Sequence, residues 1–336
     1  MLQTTQQGTT QHATPSLHDP DPKLFMEKML ARFSEIVQMG YSTPGLVQAF
    51  CDHVTLKGHF HRFFQLYIYR FICHYYTTTN RLNKRRFIQL QGNKQWYEAA
   101  LQDFAGFLAD RILLRFTVWS ANYLKQADSE SASGWLLKPL VLRDHARCVI
   151  TGSDGWRELN GNLKTATISY DGQKVPATGA NHSQLRGVYI IPPKLLPPPT
   201  QIKLHQMARK NATILMMEMF EPNIRDMLDK ATLRSSANMF TLDKVQHELF
   251  ASSLIYLEAT SHPCEYCLWS PLEDGVGRRT EKETVVKLEP REGIPAPSRQ
   301  FLSLHRSVSR ILAISGAKGY MNWKVRRWEE RIGIAE

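Results

Sequence analysis

Several groups of residues in this chain have types and spacings that could do chemistry. His262-x-Cys264-x-x-Cys267 has the short spacing of half a zinc knuckle, and Cys148 could complete a ligand set across space. A full zinc site usually carries two such half-motifs, so the alternative is a pair of ordinary thiols. Arg81, Lys84, Arg85 and Arg86 lie beside Asn80 and Asn83 and could contact phosphate, or form a solvated turn between helices. Lys324, Arg326, Arg327 and Arg331 are interleaved with Trp323 and Trp328, which fits backbone contacts plus base stacking on nucleic acid. A mixed-charge helix with Glu329 and Glu330 that buries its tryptophans explains the same pattern. A last group is dispersed: KPLVLRDHARCVITG at Lys138 to Gly152, Val188-Tyr189-Ile190-Ile191-Pro192, and Asn238 with His247. By residue type alone Asn238 reads as a turn residue before Thr241, His247 as cover for a helix face, and Cys148 as a small core residue.

The elements that must position these groups are mostly helical. From Lys23 the apolar residues Leu24, Phe25, Met29, Phe33, Ile36 and Val37 recur at helical spacing until Gly40 and Ser42-Thr43-Pro44 break the pattern. A second run holds Phe60, Phe63, Phe64, Tyr67, Ile68, Phe71 and Ile72, an aromatic stripe that predicts helix packing rather than a base-stacking platform. A third, from about Trp96 to Leu124, carries Leu101, Phe104, Leu108, Ile112, Leu113 and Phe116. After the polar linker Ser129 to Ser133 the texture changes. Cys148-Val149-Ile150, Thr167 to Tyr170 and Val188 to Ile191 read as short strands, with Asp171-Gly172 as a turn. Pro197, Pro198 and Pro199 force an extended or irregular segment. Leu204 to Phe220 and Thr241 to Phe250 read as helices, Leu254 to Leu257 as a strand, and Gly275 to Glu283 and Glu289 to Pro297 as loops. A final helix starts near Pro297 or Ser298 and breaks at Gly316 or Gly319.

Composition limits the classes of function. The chain has 336 residues and 43% hydrophobic content, enough to fill a sizeable core. Its 42 Lys and Arg against 31 Asp and Glu give +11, which favours polyanionic partners such as nucleic acid or an anionic membrane surface, or serves solubility alone. No stretch reaches the eighteen or so uncharged apolar residues of a membrane span, and the Gln- and Thr-rich start is no secretory signal. Five cysteines thinly spread argue against a disulfide framework. The expectation is an intracellular protein, cytoplasmic or nuclear, not secreted.

Three stretches, in order and spanning about two hundred residues, carry a family resemblance. RDHARCVITG is followed about forty residues later by VYIIP; then comes NMFTLD at Asn238 to Asp243 with His247 and Phe250; last is LHRSVSRILAISGA at Leu304 to Ala317 with Trp328-Glu329-Glu330. This frame resembles fungal HNH nuclease domain-containing proteins. The resemblance implies an α+β, predominantly helical fold, with a helical N-terminal part, a ββα-metal core and a helical C-terminal tail. Polarity and Pro15, Pro20 and Pro22 mark a disordered tail over 1–22, and periodicity a helical domain over 23–128; the resemblance adds an HNH-like core over 134–262 and, over 263–336, a loop-rich segment with a C-terminal helix packed on the core.

In that family two strands and a helix hold one divalent cation (Mg, Mn or Zn) against the scissile phosphate, an imidazole activates water and an amide fixes the loop. Carried over, His247 would be a metal ligand and Asn238 the loop-fixing amide. Where the relatives have the general-base His before "IIP", this chain has Tyr189. A phenol with a pKa of about 10 stays protonated at neutral pH and donates where an acceptor is needed. Val188 supplies no neighbouring ligand either, and His182 and His205, which flank the strand, could stand in only through a loop. The resemblance thus implies a nuclease-like protein impaired in catalysis. The alternatives are a non-catalytic nucleic-acid-binding module and a scaffold recruited to an unrelated role.

Overall fold

The computed structural model describes residues 20–38, 40–79, 94–117, 134–153, 155–156, 167–168, 174–175, 183–193, 204–270, 278–279 and 284–331. The expected tail up to residue 19, the basic cluster Arg81 to Arg86, the 129–133 linker, Ser169 to Gly172, His182 and the proline cluster lie outside these residues.

The N-terminal layer is helical. Helix α1 (Pro22–Arg32) starts where the Asp21 carboxylate accepts from Lys23 N–H and Pro22 presets the first turn. A tight hairpin, β1 (Val37–Gln38) and β2 (Tyr41–Ser42), turns through Gly40 at φ +88°. Ser42-Thr43-Pro44 is not only a break, because it also starts α2 (Thr43–His53), with the Ser42 hydroxyl accepting from Gly45 N–H at 3.0 Å. Helix α3 (Lys57–Thr79) carries the aromatic stripe inward, and α4 (Lys94–Leu108) packs on it before continuing as a π-helical turn over Ala109–Leu113. Phe60, Phe64, Ile68, Leu101 and Phe104 are fully buried between them.

The middle of the chain mixes short elements. Helix α5 (Gly134–Arg143) runs into the RDHARC turn. The expected strand at Cys148 to Ile150 is instead a turn, closed by Gly152 N–H donating to Cys148 O at 2.8 Å. Two-residue pairs follow, β3 (Gly155–Trp156) with β6 (Ser183–Gln184), and β4 (Thr167–Ile168) with β5 (Lys174–Val175). Strand β7 (Arg186–Tyr189) then precedes helix α6 (Leu204–Phe220) and the one-turn α7 (Lys230–Leu233). Thr241 to Phe250 divides into strand β8 (Met239–Leu242), antiparallel to β7, and helix α8 (Lys244–Ala251).

Strand β9 (Tyr256–Ala259) pairs with β10 (Glu265–Ser270), which also pairs with β11 (Arg278–Arg279) and β12 (Val285–Lys287). The expected strand Leu254 to Leu257 overlaps β9 and the expected loop Gly275 to Glu283 contains β11, while sequence reading anticipated neither β10 nor β12. Helix α9 (Arg299–Ile314) starts at Ser298 and ends before Gly316 at φ +70°. It buries Phe301, Leu304, Val308, Ile311 and Leu312, wedged against β9, α2 and α6. Helix α10 (Ala317–Arg331) packs instead on β2 and the π-helical turn, with the Tyr41 and Tyr320 rings 5.3 Å apart. One hydrophobic cluster runs from Phe25 to Met321, so α9 joins the helical layer to the sheets through shared apolar surface. The chain is therefore α+β and predominantly helical. Among the described residues no helix is long and apolar enough to cross a membrane.

Candidate functional site

The RDHARCVITG segment, the strand before Pro192 and the Asn238 to His247 stretch meet in space at β7, β8 and α8. Buried polar groups hold them together. Arg143, 2% exposed, donates from Nε to Asp144 at 2.7 Å and from its terminal nitrogens to the carbonyls of Ser236, Pro295 and Met239 at 2.8 to 3.0 Å. Asp144 passes the charge on, accepting from Thr241 N–H at 2.8 Å, with the Thr241 hydroxyl 3.0 Å away. A buried guanidinium is tolerable here because a carboxylate and three carbonyls take up its donors. His145 and Ala146, at φ +59° and +55°, form the left-handed corner that turns the chain back after this pair. Thr151 then donates to Asp243 at 2.9 Å, and Asp243 caps α8 through Gln246 N–H at 2.8 Å.

Asn238 is fully buried and clamps the chain just after β7. Its Oδ1 accepts from Ile191 N–H at 2.9 Å, while Nδ2 donates to Ile191 O at 2.7 Å and Leu233 O at 2.8 Å. The side chain thus imitates a peptide group and extends the ladder by one residue, into a position where the following Pro192 offers no donor.

The register separates the other two candidates. Val188 lies opposite Phe240 and Arg186 opposite Leu242, and the Phe240 ring meets Phe250 of α8 edge-on at 5.0 Å. That face is covered by α8. Alternation puts Tyr189 and its partner Met239 on the other face, where they pack with Leu140 of α5 as a separate cluster. Tyr189 is therefore not brought to His247. Burial pushes its phenol above the ordinary range, keeping it protonated. His247 is fully buried on the α8 face, its pKa pushed down to about 4 by burial and further by the Arg186 charge. A neutral imidazole can ligate a metal, but a guanidinium among its neighbours opposes one. Among the described residues no three His, Cys, Asp or Glu side chains gather as a ligand set. The described residues around His247 do not fit the expected divalent cation. Sequence reading missed Arg186, although its place two residues before Val188 on the same strand face was available.

The remaining candidates also separate. His262 is exposed, its Nδ1 3.6 Å from the Glu265 carboxylate, and Cys267 lies within β10. Cys148 is fully buried, Thr151 N–H reaches its sulfur at 3.5 Å, and burial raises its thiol pKa. These residues form no zinc set. Of the C-terminal cations, Lys324 is turned inward, 3.3 Å from the Asp110 carboxylate and over the Tyr320 ring at 5.3 Å. That contact leaves 29% of the Lys324 side chain exposed. Arg326 and Arg327 are exposed, and the Arg327 guanidinium lies 5.6 Å from the centroid of the Trp323 ring. His205 lies on α6.

No protein-family model, no curated protein and no solved structure matches this chain.

Proposed function

We propose that this protein is an HNH-nuclease-like scaffold that no longer cleaves phosphodiesters and acts as a non-catalytic binding module for nucleic acid. The order RDHARCVITG, VYIIP, NMFTLD and His247 supports the likeness, as does the succession of two antiparallel strands and a helix that carries the last three. One observation carries the loss of catalysis: Tyr189 and His247 occupy opposite faces of the β7 and β8 pair, so base position and helix imidazole share no reaction space. Loss of a positioned general base alone costs about 10²- to 10⁴-fold in rate. The net charge of +11 and the exposed Arg326 and Arg327 beside Trp323 favour a polyanion as the bound partner.

The test is cleavage of plasmid and single-stranded DNA with Mg²⁺ or Mn²⁺, by the wild-type protein and by Tyr189→His. Neither is expected to cut, because an imidazole at 189 would still face Leu140 and Met239. Cleavage by the variant would overturn the reading. Retention on DNA is expected to fall steeply with salt and to weaken in Arg326→Ala/Arg327→Ala. Absence of retention at low salt would remove the binding function and leave a scaffold with an unrelated role.

A further inference from the structure

The helical layer carries a cleft whose lining includes no residue of β7, β8 or α8. One face of α4 forms its floor: Ala99, Gln102, Asp103, Gly106 and Phe107 recur at helical spacing, and the π-helical turn continues them with Asp110 and Arg111. Tyr67 and Phe71 of α3 stand opposite. The cleft holds about 700 Å³, within the range of small-molecule sites. A second hollow of about 510 Å³ shares Tyr67, Phe71 and Asp103 with it and is walled otherwise by Phe63, Leu66, Arg70 and Leu215. Asp103 therefore stands where a cleft of mixed polar and apolar lining meets a largely apolar one.

Two features of this face are unusual. Gly106 sits inside a helix, and a Cβ built on it meets nothing within 4 Å, so neither backbone conformation nor crowding requires glycine there. Glycine in a helix interior costs about 1 kcal/mol relative to alanine, and what it preserves here is open volume. The π-helical turn is the second feature, a rare distortion that is frequent at functional sites. It places Asp110 where the Tyr320 hydroxyl donates to it at 3.1 Å and the Lys324 ammonium at 3.3 Å. Asp103 is more open: it accepts from the Tyr67 hydroxyl at 2.6 Å and is otherwise exposed.

We infer that this cleft binds a small organic ammonium ion with an apolar body, the charge resting on Asp103 among the rings of Tyr67, Phe71 and Phe107 and the body lying along Phe63 and Leu215. A carboxylate beside aromatic faces attracts an ammonium through ion pairing and cation–π contact together. An anion would be drawn instead to Arg111 and Arg70, which gives the test its contrast.

The probes are phenethylamine, the neutral 2-phenylethanol and the anionic phenylacetate, titrated calorimetrically into the full chain. Phenethylamine is expected to bind about tenfold tighter than either of the others, a difference of about 1.4 kcal/mol. Asp103→Asn, at an exposed position whose amide oxygen can still accept from Tyr67, is expected to remove that preference. Gly106→Leu is expected to abolish binding while leaving the melting temperature unchanged or raised, since the new side chain enters open space. Equal binding of the three probes, a preference for phenylacetate, no measurable binding of phenethylamine, or wild-type affinity in Gly106→Leu would each overturn the inference.

Discussion

Around Phe104 the helical layer is built of rings: Phe60, Phe63, Phe64, Tyr67 and Phe107 surround it with centroids 4.9 to 6.2 Å away. Around Thr241 the β7, β8 and α8 unit is built of directed polar bonds, from Arg143 through Asp144 to the strand and from Asn238 to the loop after β7. Ring packing is close to additive in area and has little direction, so many sequences satisfy it. A buried polar network is fixed in direction and costly when half satisfied. The two regions should therefore fail differently.

The sharpest way to break this contrast is Asp144→Ala. It leaves the buried Arg143 guanidinium without its carboxylate, and the expected loss is about 3–5 kcal/mol of unfolding free energy by urea titration. A loss below about 1 kcal/mol would mean that the polar network does not hold the unit. Acid supplies the next test. The pKa values of His247 and His305 are pushed down to about 4 by burial, and His305 also donates from Nε2 to Phe250 O at 3.3 Å while stacked on the Phe250 ring. Between pH 6.5 and 4 the unfolded chain binds more protons than the folded one. Stability is thus fully present above about pH 6.5 and declines as the pH falls toward 4, by up to about 3 kcal/mol per histidine. Urea midpoints followed from pH 7 to 4.5 should show this slope, and His247→Met should flatten it.

Asn238→Ala is expected to cost about 1–3 kcal/mol, chiefly for the orphaned Ile191 N–H. Amide hydrogen exchange would localise the damage: Ile191 should lose protection while α3 and α4 keep theirs. The smallest effect belongs to Lys324→Met. The Lys324 contact with Asp110 is partly exposed, so its loss is expected to cost about 0–1 kcal/mol and to leave DNA retention unchanged. Weakened retention in that variant would place Lys324 on the binding surface.

How much of this was legible in the sequence follows from the same contrast. The stripe Phe60, Phe63, Phe64, Tyr67 and Ile68 predicts α3 because the helical repeat is written into the chain, and Leu204 to Phe220 marks α6 for the same reason. Ser42-Thr43-Pro44 was half legible, since the residues that stop one helix also cap the next. The β10 and β12 pairing was hidden because it joins segments about twenty residues apart with no strong alternation between them. RDHARCVITG announces itself as unusual, yet nothing local says that Arg143 and Asp144 are buried partners of Met239 and Thr241 almost a hundred residues away.

By itself the sequence determined strongly periodic helices such as α3 and α6, the excess of positive charge and the presence of a phenol at position 189. These are properties of residues and of spacings shorter than a few turns. Only the tertiary structure decided that Tyr189 and His247 face apart, that Arg186 and not a carboxylate stands near His247, and that Asp103 opens onto a cleft. Each of those depends on strand register and on the packing of distant segments, and a shift of one residue in register would exchange the faces without altering a single letter of the chain.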